Sequence, residues 1–178
     1  MKNVGLFFGS FNPVHIGHLA LAEYFLQYTA LDEVWFVVTP HNPFKKKNNL
    51  LPDRTRLHLV HLALEDQTGL VPCDIEFSLP QPNYTAQTLA HLREKHTDHN
   101  FQLIMGEDNL KGLHKWKNVD SILEYHDILA YPRHPLPNES ELESKWQEKF
   151  PRIALVNAPK MEISATMIRN SFKDGKPL

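Results

Sequence analysis

Only one cysteine, Cys73, occurs among the 178 residues, so no intramolecular disulfide is available and a reducing compartment suits the chain. Set between Pro72 and Asp74, that thiol reads as an ordinary strand residue and not as a nucleophile. Long apolar runs are missing too. Nothing approaches the roughly 18 residues that span a bilayer, and no charged start leads into an apolar signal core. A cytoplasmic protein with no membrane partner is therefore expected. Nor is there an excess of positive charge: 19 Lys and Arg stand against 21 Asp and Glu, a formal net charge of −2. The basic field that nucleic-acid binding uses is lacking, so no nucleic acid partner is expected. Repeats, low-complexity tracts and long linkers are absent. With 42% hydrophobic and 22% charged residues, the composition is that of an ordinary globular chain, expected to form one domain over residues 1–178 and to bury about 70% of its unfolded surface.

What is present is organised around Val4 to His18. Val4 to Phe8 is a short apolar run of the kind buried on both faces of a parallel sheet, and it stops at Gly9 and Ser10. Asn12-Pro13 starts a turn, and Leu19, Leu21, Ala22, Phe25 and Leu26 recur at helical spacing, so a helix opens near His15. A strand, a tight turn and a helix mouth make an anion site, because the first helical N–H groups lack intrahelical partners and carry the positive end of the macrodipole. Gly9 and Gly17 would let a phosphate approach the backbone. His15 and His18, at i and i+3, share one helix face and can both donate to phosphate oxygens. Two histidines fall short of the three or four ligands that zinc takes, and no cysteine or carboxylate cluster nearby completes a metal site. Two exposed helix histidines among the eleven in the chain are the plainer alternative.

Further along, Glu33 to Thr39 reads as a second buried strand. The loop Pro40 to Asn49 carries three consecutive lysines. A lysine run is ordinarily a solvated face, but a loop at the end of a second strand lies beside the phosphate turn in a doubly wound sheet, and Lys46 is the candidate contact. Pro52-Asp53 opens a helix with an apolar stripe at Leu57, Leu59, Val60, Ala63 and Leu64; Arg54, Arg56, His58 and His61 are expected around it, the histidines at the surface and not in a site. Leu70 to Phe77 is expected as a third strand. After a loop, Tyr84-Thr85 begins a helix capped by Asn83 or Thr85, whose mouth is either a plain cap or a carboxylate site. Phe101 to Met105, His126 to Tyr131 and Arg152 to Val156 are expected as strands, with a proline-marked loop at 132–137 and a charged helix at 141–150. Past the fourth strand, Gly106 and Asp108 suit a ribose, since an ionised carboxylate accepts a hydroxyl pair. The ring of Trp116, with polar neighbours on both sides, can stack on a flat heterocycle or fill the core.

The last motif runs from Glu162 to Ser171. Ser164 is a good N-cap, Thr166 lies in the first turn, and Arg169 follows Thr166 at i+3. That is either a second phosphate cradle or a capped surface helix; two helix-mouth anion sites in one chain favour a polyphosphate ligand.

The stretch Gly-Ser-Phe-Asn-Pro-Val-His-Ile-Gly-His from Gly9 to His18, paired with Ile-Ser-Ala-Thr-Met-Ile-Arg from Ile163 to Arg169, resembles the nucleotidyltransferases related to class I aminoacyl-tRNA synthetases, and most closely the nicotinate-nucleotide adenylyltransferases, over nearly the whole chain. The fold that goes with the alternation of strands and helices is an α/β, doubly wound (Rossmann-like) parallel sheet. The resemblance implies transfer of AMP from ATP to nicotinate mononucleotide, giving nicotinate adenine dinucleotide and pyrophosphate, with Mg2+ as cofactor. It implies His15, His18 and Arg169 as catalytic residues. Gly9, Ser10, Phe11, Gly17, Gly106, Asp108, Ser164 and Thr166 would join them on ATP, and Asn12, Lys46, Tyr84, Thr85 and Trp116 would meet the mononucleotide. It implies no metal held by protein side chains and leaves a homo-oligomer open. Ala165 removes one hydroxyl from the family's usual Ser-Ser-Thr, Asn12 stands for the commoner aspartate, and Phe8 for a glycine. Relatives continue past this C-terminus, so a short closing segment is expected to be lacking. The alternatives are another phosphate acceptor, nicotinamide mononucleotide or a phosphopantetheine, and a non-catalytic adenine-nucleotide sensor.

Overall fold

Each of the apolar runs alternates its side chains between two covered faces, and this alternation builds the sheet. The computed structural model describes residues 1–43, 50–132 and 151–176. Strands β1 (Lys2–Gly9), β2 (Glu33–Val38), β3 (Leu70–Cys73), β4 (His99–Gly106), β5 (Ile128–Tyr131) and β6 (Ile153–Leu155) pair in the order β3-β2-β1-β4-β5-β6. All the pairings are parallel. The α-helices are α1 (Ile16–Tyr28), α2 (Asp53–Leu64), α3 (Thr85–Lys95), α4 (Glu107–Lys111), α5 (Val119–Tyr125) and α6 (Ala165–Lys173).

Val4 and Leu6 of β1, Val37 of β2 and Phe101, Leu103 and Met105 of β4 face one way, onto Leu89 and Leu92 of α3 and Ile122 of α5. Phe7, Val34, Phe36, Val38 and Ile104 face the other way, onto Leu21, Ala22 and Phe25 of α1 and Val60 and Leu64 of α2. The sheet is thus doubly wound, as expected. Side chains such as Phe25, Phe36 and Leu6 are fully buried, each contributing about 1.5–3 kcal/mol of hydrophobic stabilisation. After β1 the chain winds outward to β2 and β3, then crosses to the other side of β1 to begin β4. The switch point therefore lies between the carboxyl ends of β1 and β4, where open sheets of this kind leave a crevice.

Several expectations are corrected. The third strand ends at Cys73, and Ile75–Ser78 is a 3-10 helix instead. His126 is not in β5 but closes α5, a helix not foreseen in the sequence, and its buried Nδ1 lies 2.9 Å from the Phe101 carbonyl oxygen. Arg56, expected beside the apolar stripe of α2, is part of its buried face: it is 1% exposed. The start of α3 is capped by neither Asn83 nor Thr85. Tyr84 occupies the N-cap without a side-chain bond. Cys73 is buried, and burial pushes its thiol up to about 11, so it is protonated at neutral pH. Lys46, the loop positions Pro135 and Pro137, and the helix expected at 141–150 lie outside the described residues. Among the described residues, no helix is long and apolar enough to cross a membrane.

Candidate functional site

The turn after β1 is shaped by its own side chains. Phe11 takes a left-handed backbone, φ 43°, and drives its ring into the core against Phe36 and edge-on to His18, with centroids at 5.3 and 5.1 Å. A Cβ on Gly9 would sit 2.8 Å from that ring. Gly9 is therefore required by the packing of Phe11, before any phosphate is considered. The same holds for Gly17, where a Cβ would meet Ile163 at 2.8 Å and the His15 ring at 3.1 Å. With its ring 3% exposed, Phe11 has little but backbone to offer a ligand.

Beneath this turn lies Arg56. Its Nη1 donates to the carbonyls of Ser10 (2.6 Å) and Thr39 (3.0 Å), and its Nε to that of Leu51 (3.0 Å). Leu51 N–H in turn donates to Asn12 Oδ1 at 2.9 Å. One guanidinium thus fastens the first turn, the end of β2 and the start of α2 together. Burial lowers its pKa, but a guanidinium stays charged, so it also leaves a positive charge under the site.

His15 is the N-cap of α1, and its backbone N–H donates to His18 Nδ1 at 3.2 Å. A ring nitrogen that accepts has no proton, so His18 carries its proton on Nε2. The two imidazoles lie 3.7 Å apart between centroids. His15 is half-buried, its Nδ1 has no partner among the described residues, and burial holds its pKa below the ordinary 6.5. Two neutral imidazoles at a helix mouth are hydrogen-bond donors that bring no mutual repulsion.

The closing helix α6 comes to the same place. Ser164 caps it, its Oγ accepting from Met167 N–H at 3.2 Å. Arg169 Nη1 donates to the Asn12 carbonyl at 2.7 Å, and its Nη2 to Thr166 Oγ1 at 3.0 Å. Because Thr166 accepts there, its own hydroxyl proton remains to be given elsewhere. Two helix N-termini, each with cationic or N–H side chains beside it, thus share one mouth.

That mouth opens into a cavity of about 1050 Å³ at the carboxyl ends of β1 and β4. Of the site residues expected, Gly9, Ser10, Phe11, Asn12, His15, Gly17, His18, Tyr84, Thr85, Asp108, Trp116, Ser164, Thr166 and Arg169 line it. Gly106 does not: it is buried as the N-cap of α4, and Asp108 in the first turn reaches the wall instead. Trp116 is half-buried, one part against the core and one part on the cavity. At the far end, Asn83 is buried, accepting at Oδ1 from His41 N–H and donating from Nδ2 to the Glu76 carbonyl, which fixes the start of α3.

Three wall or support residues escaped the sequence reading. Arg56 shares an i, i+4, i+8 row with the buried Val60 and Leu64, a phase visible in the sequence. Lys117, with its ammonium 4.4 Å from the centre of the Tyr84 ring, and Glu76, 1% exposed, left no such pattern. Among the described residues, no group of three or more His, Cys, Asp or Glu is placed to hold a metal ion.

Known proteins resemble this chain in sequence and in fold. A cytidylyltransferase-like family model matches residues 6–171. A Flavobacterium johnsoniae protein named a probable nicotinate-nucleotide adenylyltransferase is 55% identical over 174 residues, 97% of this chain and 88% of the relative. A Bacteroides fragilis protein of the same name is 45% identical over 98% of this chain and 84% of its own length. In fold, the chain resembles a Plasmodium falciparum nicotinic acid mononucleotide adenylyltransferase solved with NaAD, with a TM-score of 0.80 at 19% identity, over 99% of this chain and 87% of that one.

Proposed function

Because the chain belongs to the cytidylyltransferase-like family and, within it, to the nicotinate-nucleotide adenylyltransferases, we propose that it transfers AMP from ATP to nicotinate mononucleotide in NAD biosynthesis. A phosphate oxygen of the mononucleotide attacks the α-phosphorus of ATP in line. The bond from that phosphorus to the α,β-bridging oxygen breaks, and pyrophosphate leaves with the electron pair. The attacking monoester has a second pKa of about 6, so it is already deprotonated at neutral pH and needs no general base. The protein's task is alignment and the placement of donors where charge develops.

The observation that carries the reading is the pair of helix mouths, α1 with His15 and His18 and α6 with Ser164, Thr166 and Arg169, tied together by the Arg169 bond to the Asn12 carbonyl. In this assignment His18 Nε2–H and His15 meet the transferring phosphate. The N–H groups of Ile16 and Gly17, which have no intrahelical carbonyl, face the same charge. Arg169, Thr166 and the α6 mouth hold the β- and γ-phosphates, and Gly9, Ser10, Phe11 and Asn12 form the backbone floor. Asp108 takes the ATP ribose, with Gly106 letting the chain turn behind it. At the other end Tyr84 and Thr85 at the α3 mouth receive the ring carboxylate, Trp116 stacks on the pyridine, and Lys46 reaches the mononucleotide from outside the described residues. Cys73, buried as a neutral thiol, suits the cytoplasm, where the substrates would be met.

The donor set suits Mg2+ brought in on the ATP phosphates, since among the described residues the carboxylates bordering the cavity, Asp108, Glu162 and Glu76, form no metal-holding group and Mg2+ takes substrate phosphates and water as ligands. The cation supplies charge neutralisation to the leaving pyrophosphate. EDTA is expected to abolish turnover and Mg2+ in excess over ATP to restore it, as a pyrophosphate-release assay would show. The deciding experiment is pyrophosphate release from Mg-ATP with nicotinate or nicotinamide mononucleotide in parallel. Faster release with the nicotinate form supports the assignment; equal or faster release with the amide overturns the carboxylate subsite.

A further inference from the structure

Behind the acceptor end of the cavity sits a carboxyl group that the mechanism above does not use. Glu76 lies in the 3-10 helix after β3, is 1% exposed, and borders the same cavity as Tyr84 and Thr85. Its Oε1 is 2.7 Å from Thr88 Oγ1, and its Oε2 is buried with no hydrogen-bond partner among the described residues. Thr88 lies at i+3 from Thr85, so the two stack on one face of α3 a single turn apart. The carboxyl is thus one side chain removed from the helix mouth assigned to an anionic ring.

Its other surroundings offer no counter-charge. From the β2 end it faces the hydroxyl of Thr39, and from β3 the neutral thiol of Cys73. Asp74 and Lys95 act on the Cys73 thiol beside it, and Lys117 lies on the Tyr84 ring. Among the described residues no lysine, arginine or histidine pairs with Glu76. Burial accordingly raises its pKa above the ordinary carboxyl value.

We propose that Glu76 is a specificity-determining residue of the acceptor subsite: neutral, it admits the ring carboxylate at the α3 mouth, and ionised, it disfavours that anion while leaving a carboxamide ring unaffected. The inference rests on the nicotinate reading of that subsite. A buried carboxylate repels an anion bound one helical turn from its Thr88 partner, whereas a carboxamide carries no net charge to be repelled.

The test is the KM for nicotinate mononucleotide and for nicotinamide mononucleotide from about pH 5 to about pH 9.5 on the intact protein, a range that starts just above the ordinary carboxyl value. Both share the same titrating phosphate, so the ratio of the two KM values isolates the ring substituent. The ratio is expected to climb on the order of tenfold toward the alkaline end, with kcat on the nicotinate substrate moving far less. In Glu76→Gln, which keeps the shape and the Thr88 bond, the ratio is expected to stay level. A level ratio in the wild type, or a climb that survives Glu76→Gln, overturns the proposal. If the variant does not fold, calorimetry in buffers of different ionisation enthalpy decides. At the alkaline end, nicotinate mononucleotide is expected to bind with proton uptake that the amide lacks, and equal uptake overturns the role of Glu76. A preference for the amide at every pH instead brings down the nicotinate subsite itself, and the proposal with it.

Discussion

Replacing His18 by alanine removes an Nε2–H donor from the cavity wall and leaves the α1 mouth beneath it in place. The expected result is a kcat lowered about 100-fold or more with KM for ATP little changed, since the donor acts where charge develops; steady-state pyrophosphate release measures both. A change confined to KM would make His18 an ordinary binding group. Arg56 tests a different quantity. Arg56→Ala strands the carbonyls of Ser10, Thr39 and Leu51 and opens a hole, and it is expected to cost about 3 kcal/mol or more in urea unfolding. Arg56→Lys is expected to recover only part, because a point charge cannot span the three acceptors as a planar fork does. The histidine pair was legible because its spacing and the glycines around it are written in adjacent letters. Glu76 and Lys117 were not, because their importance comes from neighbours 12 and 33 positions away, Thr88 and Tyr84.

Among the elements, strands β1 and β2 and helices α1 and α6 were readable from apolar runs and caps. Ser164 does what an N-cap serine does, and Val34, Phe36 and Val38 alternate as a buried strand demands. The failures were local competitions. Leu70 to Phe77 holds β-formers throughout, yet beyond Cys73 the chain turns into a 3-10 helix that buries Ile75 and Glu76 side by side. Helices α4 and α5, of 5 and 7 residues, are too short for a 3.6-residue period to declare itself. The glycine in α1 supports a prediction at this scale. Gly17→Ala presses a methyl against Ile163 and the His15 ring, so the segment leading into α6 must back away. A loss of about 1–3 kcal/mol is expected from overpacking. A higher KM for ATP is expected alongside it, because the two anion-binding mouths separate; urea unfolding and kinetics read the two effects.

For the whole molecule, the doubly wound sheet was expected from alternation alone, and the strand order places the cavity at the switch point as such sheets require. The same architecture fixes how stability responds to acid. His126 is buried between α5 and β4, and burial holds its pKa below the ordinary 6.5; His15 is shifted the same way. The unfolded chain therefore binds protons that the folded chain refuses, so the stabilisation is complete above about pH 6.5 and is lost as pH falls through the depressed folded values. Urea midpoints are expected to drop between about pH 7 and about pH 5, and His126→Asn, which keeps a donor near the Phe101 carbonyl without a titrating ring, is expected to flatten part of that fall.

Arg169 closes the site by bonding a carbonyl 157 positions earlier in the chain. On a ribosome, β1 and its two histidines emerge long before α6 exists, and the sheet order lets the early strands pair without it. On the proposed mechanism a growing chain, or one clipped ahead of α6 by a protease, carries half of the phosphate grip and is expected to consume no ATP. Arg169 thus makes the order of synthesis part of the proposed mechanism, because the grip on ATP is expected to close only once α6 has joined the early strands.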